Sequence, residues 1–105
     1  MIVIRFRVRC KPERTDEALD AFAAVVVPSR DVEGVVSFDV ARDLVDPNAI
    51  VAVEVFKDEA ARERQESLPE VGRVVQLLPE IIDAPPEATV FHVESAVDAL
   101  ADASR

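Results

Sequence analysis

The chain has 105 residues, half of them hydrophobic, and it carries 21 acidic against 12 basic side chains, so its net charge is −9. This length predicts one domain, and the negative charge argues against a nucleic-acid partner because phosphate backbones repel it. One cysteine, one histidine and no apolar run longer than residues 21–27 argue against a disulfide, a zinc site and a membrane span, so we expect a cytoplasmic protein.

The first predicted element is a β-strand over residues 2–10. Apolar and basic side chains alternate along it, which is typical of a strand with one buried face. Its apolar side is formed by Ile2, Ile4, Phe6, Val8 and Cys10.

A helix is predicted after this strand. Thr15 is a candidate N-cap, acidic residues follow it in the first turn, and apolar residues then recur at helical spacing. Pro28 is expected to end or kink this helix.

Two further strands are predicted over residues 35–42 and 50–56. Gly34 marks the entry to the first of them, and Asp46, Pro47 and Asn48 form a turn between the two. This pattern predicts an antiparallel hairpin.

The second half begins with a short charged helix over residues 59–66, whose run from Arg62 to Glu66 is typical of a solvated face. Ser67 and Glu70 match the capping box of a further helix that extends to Pro79. A proline-rich loop and a last strand over residues 89–94 follow. We therefore place the domain at residues 1–95 and a C-terminal tail at residues 96–105.

The order β-α-β-β-α-β predicts an α+β, ferredoxin-like fold, in which a four-stranded antiparallel sheet carries helices on one face. The other face would bear Arg5 and Arg7 beside either residues 52, 54 and 56 or residues 51, 53 and 55, since both sets are largely apolar. A second copy of the chain is expected to cover that face. The homodimer would be an α/β barrel with a cavity between sheet and helices.

Several short segments stand in a characteristic order and spacing, at residues 6–8, 11–12, 27–30, 34–39, 42–43, 46–48 and 53–61. Together they resemble the antibiotic-biosynthesis monooxygenase family. The resemblance covers residues 2–94 and implies a dimeric α+β barrel, a fold shared by quinol monooxygenases that need no cofactor and by haem-degrading enzymes. It implies oxidation of a small quinol- or anthrone-like aromatic without a bound cofactor.

Functional positions of the family are altered here. Phe56 occupies the place of a tryptophan that packs against the aromatic substrate in the family's enzymes, and Gln65 and Glu70 occupy places where histidines are common. Because the helix at residues 59–66 offers no imidazole to iron, haem degradation is disfavoured. These changes leave a second function open, a non-catalytic module that binds or senses a small molecule in the same cavity.

A cofactor-free oxygenase needs a base, a positive group beside the developing oxyanion and a dry pocket. His92 and Glu54 are the candidate bases. Arg5 is the candidate positive group, and Phe56 and Gln65 are the other candidate substrate contacts. No metal ligand is predicted.

Each of these candidates also has a structural alternative. Glu54 interrupts an apolar strand, so it must be ion-paired with an arginine of the first strand or of the partner chain, or have a raised pKa. Arg5 could pair across the dimer, as we expect for Arg7 and Arg9. His92 could be a structural histidine, and Phe56 could belong to the core or the dimer contact.

The cations are ten arginines and two lysines beside the acidic excess. A chain with this charge is stable where concentrated salt screens its self-repulsion. We therefore predict a halophilic source.

Overall fold

The computed structural model describes residues 1–103, in which strands and helices follow the predicted order. The strands are β1 (Ile2–Arg9), β2 (Val35–Arg42), β3 (Ala49–Phe56) and β4 (Glu87–His92). The helices are α1 (Thr15–Arg30), α2 (Glu59–Glu66), α3 (Pro69–Ile81) and α4 (Ala99–Ala103). The tail predicted at residues 96–105 contains α4, and residues 104–105 lie outside the described part of the chain.

The four strands form one antiparallel sheet in the order β2-β3-β1-β4. Ile4 pairs with Glu54 on one side and with Val90 on the other. Arg5 pairs with Val53, so these two side chains share the opposite face. The ferredoxin-like α+β fold is confirmed, and of the two sets considered for β3, residues 51, 53 and 55 lie on the open face.

Helices α1 and α3 pack on the other face of the sheet and bury one hydrophobic core with it. The buried members of this core are Val8, Cys10, Ala18, Phe22, Val25, Phe38, Ile50, Val74 and Ile81. Burial of each large side chain stabilises the fold by about 1.5–3 kcal/mol relative to exposure. The apolar side predicted for β1 is the side that meets this core.

Helix α2 lies over the end of the sheet where β3 finishes. There Ile2, Ile4, Phe56 and Ala61 form a second buried cluster. Gly34 has a φ of +88°, and a Cβ added to it would lie 2.6 Å from the Ala61 Cβ. Glycine at this position therefore permits the close approach of α2 to the start of β2.

The boundaries of α1 and α3 differ from the predictions, and the N-cap of α1 is Arg14 and not Thr15. Pro28 and Pro79 lie inside α1 and α3, each two residues before the helix ends, so little helix remains beyond them. The predicted capping box is wrong, because the Ser67 hydroxyl donates to the Glu63 carbonyl and ends α2 instead of starting α3. The N-cap of α3 is Leu68, without a side-chain hydrogen bond.

Across residues 1–103, none of the helices combines the length and the apolar character that crossing a membrane requires.

Candidate functional site

A cavity of about 250 Å³ lies between the sheet and helices α1, α2 and α3. Its walls are mostly apolar: Ile4, Phe6, Phe22, Val25, Phe38, Val40, Ala52, Val71, Val74, Val75, Leu78, Ala88 and Val90. Four polar side chains complete the lining, namely Glu54, Arg62, Gln65 and Glu66. Ligand sites of proteins span about 300–1,000 Å³ and combine apolar walls with a few polar groups. This cavity therefore suits a small ligand with an apolar body.

Glu54 is the carboxyl group that β3 presents to the cavity. It pairs across the sheet with Ile4 and Phe38, so its neighbours in the sheet are apolar. Burial, followed by the Glu66 carboxylate, raises the pKa of Glu54 to about 7, and Arg62 opposes the rise. A carboxyl group with a pKa near neutrality is suited to accept a proton from a bound ligand.

The sequence left two alternatives for Glu54, an ion pair with an arginine of the first strand or of the partner chain, or a raised pKa. Arg5 points to the opposite face of the sheet, so an ion pair between these two residues within one chain is ruled out. Among residues 1–103, Glu54 makes no ion pair and no hydrogen bond, which agrees with the raised pKa.

Gln65 is held in place by α1. Its side chain is 2% exposed, and its Nε2 donates to the Ser29 Oγ at 3.0 Å. This buried hydrogen bond joins α2 to α1 and fixes the amide at the cavity wall. One Nε2–H group is engaged with Ser29, and the carbonyl oxygen is the Gln65 group that can accept a hydrogen bond from a ligand.

Arg62 and Glu66 line the cavity, although the sequence placed them on a solvated helix face. Arg62 Nε lies 3.3 Å from Glu66 Oε2, and Arg62 Nη1 lies 3.5 Å from Glu59 Oε1. Arg62 lies three residues before Gln65 and four before Glu66, and both spacings place side chains on one side of a helix. The first spacing, applied to the predicted contact Gln65, could have identified Arg62.

Three predicted site residues lie elsewhere. Phe56 is fully buried in the cluster beneath α2 and is not part of the cavity wall. Arg5 is exposed on the open face, since successive side chains of β1 point to opposite sides. His92 is exposed at the end of β4 and pairs with Ile2, outside the cavity lining. The structure thus places Glu54 and Gln65 in one cavity, and the other three predicted residues lie outside its lining.

The open face carries the arginines of β1. Arg7 Nη1 lies 2.7 Å from Asp43 Oδ2, and Arg9 bonds both Asp46 and Asp83. The hydrogen bond from Arg7, followed by those from the backbone N–H groups of residues 45 and 46, lowers the pKa of Asp43 to about 2. Acids of the same chain thus already hold Arg7 and Arg9, and their pairing across a dimer stays a prediction.

The open face also carries exposed apolar side chains. Val53 is 40% exposed and pairs with Arg5, and Phe91 is 47% exposed and pairs with Val3. Arg5 has no hydrogen-bond or ion-pair partner among residues 1–103. An apolar sheet surface of this kind is typical of a contact with another molecule.

Two proteins from other organisms are similar to this chain in sequence. The chain is 36% identical over 61 residues, 58% of its length, to "Putative monooxygenase YcnE" of Bacillus subtilis. It is 23% identical over 92 residues, 88% of its length, to an uncharacterized protein of Synechocystis. The chain spans 64% and 63% of the lengths of these two relatives.

The fold has solved counterparts. The structure of Rv0793 from Mycobacterium tuberculosis superposes with a TM-score of 0.84 over 92% of this chain and 98% of that one, at 16% identity. At 16% identity, this similarity shows a shared fold and nothing about activity. The family model for antibiotic biosynthesis monooxygenases matches residues 1–77, which is most of the domain. The chain belongs to the antibiotic biosynthesis monooxygenase family.

Proposed function

We propose that the cavity between sheet and helices binds a small, largely apolar quinol- or anthrone-like aromatic and oxidises it with dioxygen, without a bound cofactor. The observation that carries this proposal is Glu54, an unpaired carboxyl group with a pKa of about 7 inside an apolar cavity. Membership of the monooxygenase family supports the reaction class.

The chemistry begins with proton removal. Glu54 takes the proton of the substrate hydroxyl group, or of the anthrone methylene, and the resulting anion is electron-rich enough to pass an electron to dioxygen. One oxygen atom then enters the product as a carbonyl or hydroxyl oxygen. The other leaves as water, so that a quinol becomes a hydroxyquinone and an anthrone becomes a quinone, with all electrons supplied by the substrate.

The protein's other contributions are orientation and exclusion of water. The apolar walls enclose the ring system, Gln65 offers a fixed acceptor, and Arg62 is the cation nearest to Glu54 in the lining. A dry pocket strengthens electrostatic interactions with the substrate anion and protects that anion from bulk water.

Oxygen consumption tests this proposal. The protein is incubated aerobically with 1,4-dihydroxynaphthalene and with anthrone, and oxygen uptake is compared with autoxidation in buffer. We expect uptake above that background and a loss of about 100-fold in Glu54→Gln, because the base is removed. Glu63→Gln, an exposed position of α2 outside the cavity lining, should retain the wild-type rate. Uptake equal to autoxidation would contradict catalysis.

A second function, a non-catalytic binding or sensing module, is favoured by Phe56. The side chain at the family's tryptophan position is fully buried beneath α2 and offers no ring face to the cavity. The same experiment separates the two functions, since stoichiometric binding of the quinol without oxygen uptake would select the module.

We also propose that a second copy of the chain covers the open face and completes a homodimeric barrel. The exposed Val53 and Phe91 side chains support this contact, and the net charge of −9 predicts that it strengthens in concentrated salt. Sedimentation in concentrated and in dilute KCl tests this assembly. The stability of the folded chain in the same two solutions tests the halophilic source. A monomer under both conditions would contradict the dimer, and equal stability in both would contradict the halophilic source.

A further inference from the structure

We propose that the cavity selects its ligand by charge, accepting an uncharged aromatic that donates hydrogen bonds and excluding the same ring system when it bears a carboxylate. This inference rests on the proposed function only in taking the cavity as the ligand site. It names a specificity that neither the family match nor the relatives supply, and it assigns that specificity to three charged side chains, Glu54, Arg62 and Glu66.

The first step concerns hydrogen bonding. Glu54 has no hydrogen-bond partner among residues 1–103, and Gln65 donates one of its two Nε2–H groups to Ser29 while its carbonyl oxygen has no partner among the same residues, so both present acceptor oxygens to the cavity. A ligand hydroxyl group satisfies these acceptors by donating to them. A ligand carboxylate carries only acceptors, and it would displace water from these oxygens without replacing the hydrogen bonds of that water, at a cost in affinity.

The second step concerns the cation. Among the described residues, Arg62 is the only basic side chain in the cavity lining. It is already held between Glu59, at 3.5 Å, and Glu66, at 3.3 Å. An anionic ligand would have to share Arg62 with these two carboxylates, which already offset its charge, so the guanidinium compensates the charge of the ligand only in part.

The third step concerns the other elements around Glu54. The lining side chains that β1, β2, β4, α1 and α3 contribute are all apolar. Charge in the lining thus comes from β3 and α2 alone, and with Glu54 ionised it sums to −1. A carboxylate placed here would be desolvated beside a negative surface with only the partial compensation of Arg62.

The test uses two probes that share one ring system, 2-naphthol and 2-naphthoate. Calorimetric titration of the wild-type protein at about pH 8 should give a dissociation constant at least about tenfold lower for 2-naphthol, which corresponds to 1.4 kcal/mol. The ratio should narrow at about pH 6, since Glu54, with a pKa of about 7, is then mostly protonated and uncharged. Equal affinities at both pH values would overturn the inference.

A gain of function provides the sharper test. In Glu59→Gln combined with Glu66→Gln, Arg62 loses both acidic partners and becomes available to a ligand carboxylate. We expect 2-naphthoate to bind at least about tenfold more tightly than to the wild type, with 2-naphthol changed by less than about threefold. Unchanged naphthoate affinity in a variant that retains the wild-type melting temperature would contradict the role of Arg62.

The matched control is Glu33→Gln combined with Glu63→Gln. It removes the same two negative charges from exposed positions outside the cavity lining. It should leave both affinities within about twofold of the wild type, since salt screens exposed charges outside the cavity. If naphthoate affinity rises equally in the control, net charge and not Arg62 sets the selectivity, and the inference fails.

The outcomes also separate this inference from the proposed function. If neither probe binds, the cavity is not a ligand site and the proposed function fails with it. If both probes bind equally well, the cavity remains a ligand site and only the selection by charge is rejected.

Discussion

The two sides of the sheet hold carboxyl groups in opposite states. On the helix side, burial raises the pKa of Glu54 to about 7, whereas on the open side Arg7 and two backbone N–H groups lower the pKa of Asp43 to about 2. Strand alternation produces this difference, because it sends all three arginines of β1 to the open face and none to the cavity. The thickness of one sheet thus separates the proton acceptor Glu54 from the three arginines of β1.

This separation has a chemical consequence. Glu54 can remain unpaired near neutral pH only because the arginines at positions 5, 7 and 9 cannot reach it. The one cation in the lining, Arg62, comes from α2 and is shared with two other acids. The sheet therefore isolates a base on one side while its other side carries the ion pairs and a surface suited to a partner.

The largest contrast between the two faces should appear in stability. Phe56→Ala removes a fully buried ring from the cluster under α2, and we expect the free energy of unfolding to fall by about 3–5 kcal/mol. Phe91→Ala, on the open face, removes a half-exposed ring and should cost less than about 1.5 kcal/mol. Urea unfolding of the two variants measures the difference. Similar losses of unfolding free energy in the two variants would contradict the difference in burial between the two faces.

Glu54→Gln should alter the pH dependence of stability. The pKa of Glu54 rises from 4.5 to about 7 on folding, so its contribution is fully present below about pH 4.5 and is lost as the pH rises through 7. Glutamine does not titrate. Between about pH 5 and pH 8 the variant should gain about 2 kcal/mol relative to the wild type, a value reduced for the solvent that reaches the cavity. Parallel stability curves from urea unfolding at several pH values would contradict the raised pKa.

Asp43→Asn should have the smallest effect, and of the opposite sign. The pKa of Asp43 falls from 3.8 to about 2 on folding, so its contribution is present above about pH 3.8 and is lost as the pH falls through 2. The variant should lower the melting temperature at neutral pH and approach the wild type in acid. Differential scanning calorimetry across this range checks the sign, and a deficit that grows in acid would contradict it.

The sequence predicted the fold because each element has a local signal. The alternation in β1, the turn after β2 and the apolar spacing in α1 and α3 all act within a few residues. The face of β3 could not be chosen, since residues 51, 53 and 55 are as apolar as their neighbours. Only its pairing with β1 settles the orientation.

The candidate site was predicted in part for the same reason. Glu54 interrupts an apolar strand and so stood out locally, and Gln65 followed from its place in the family pattern. Arg62 and Glu66 were missed because a charged helix is usually solvated, and its packing over a cavity depends on tertiary contacts. Phe56 lies outside the lining because α2 covers the end of β3.

The most direct test of the account is to map where a ligand binds. Titration of isotope-labelled protein with 2-naphthol, followed by amide chemical shifts, distinguishes the two sides of the sheet. We predict that the largest shifts occur around Ala52, Gln65 and Val75, which line the cavity. Shifts concentrated at Val3, Val53 and Phe91 on the open face, with the cavity unaffected, would contradict the account.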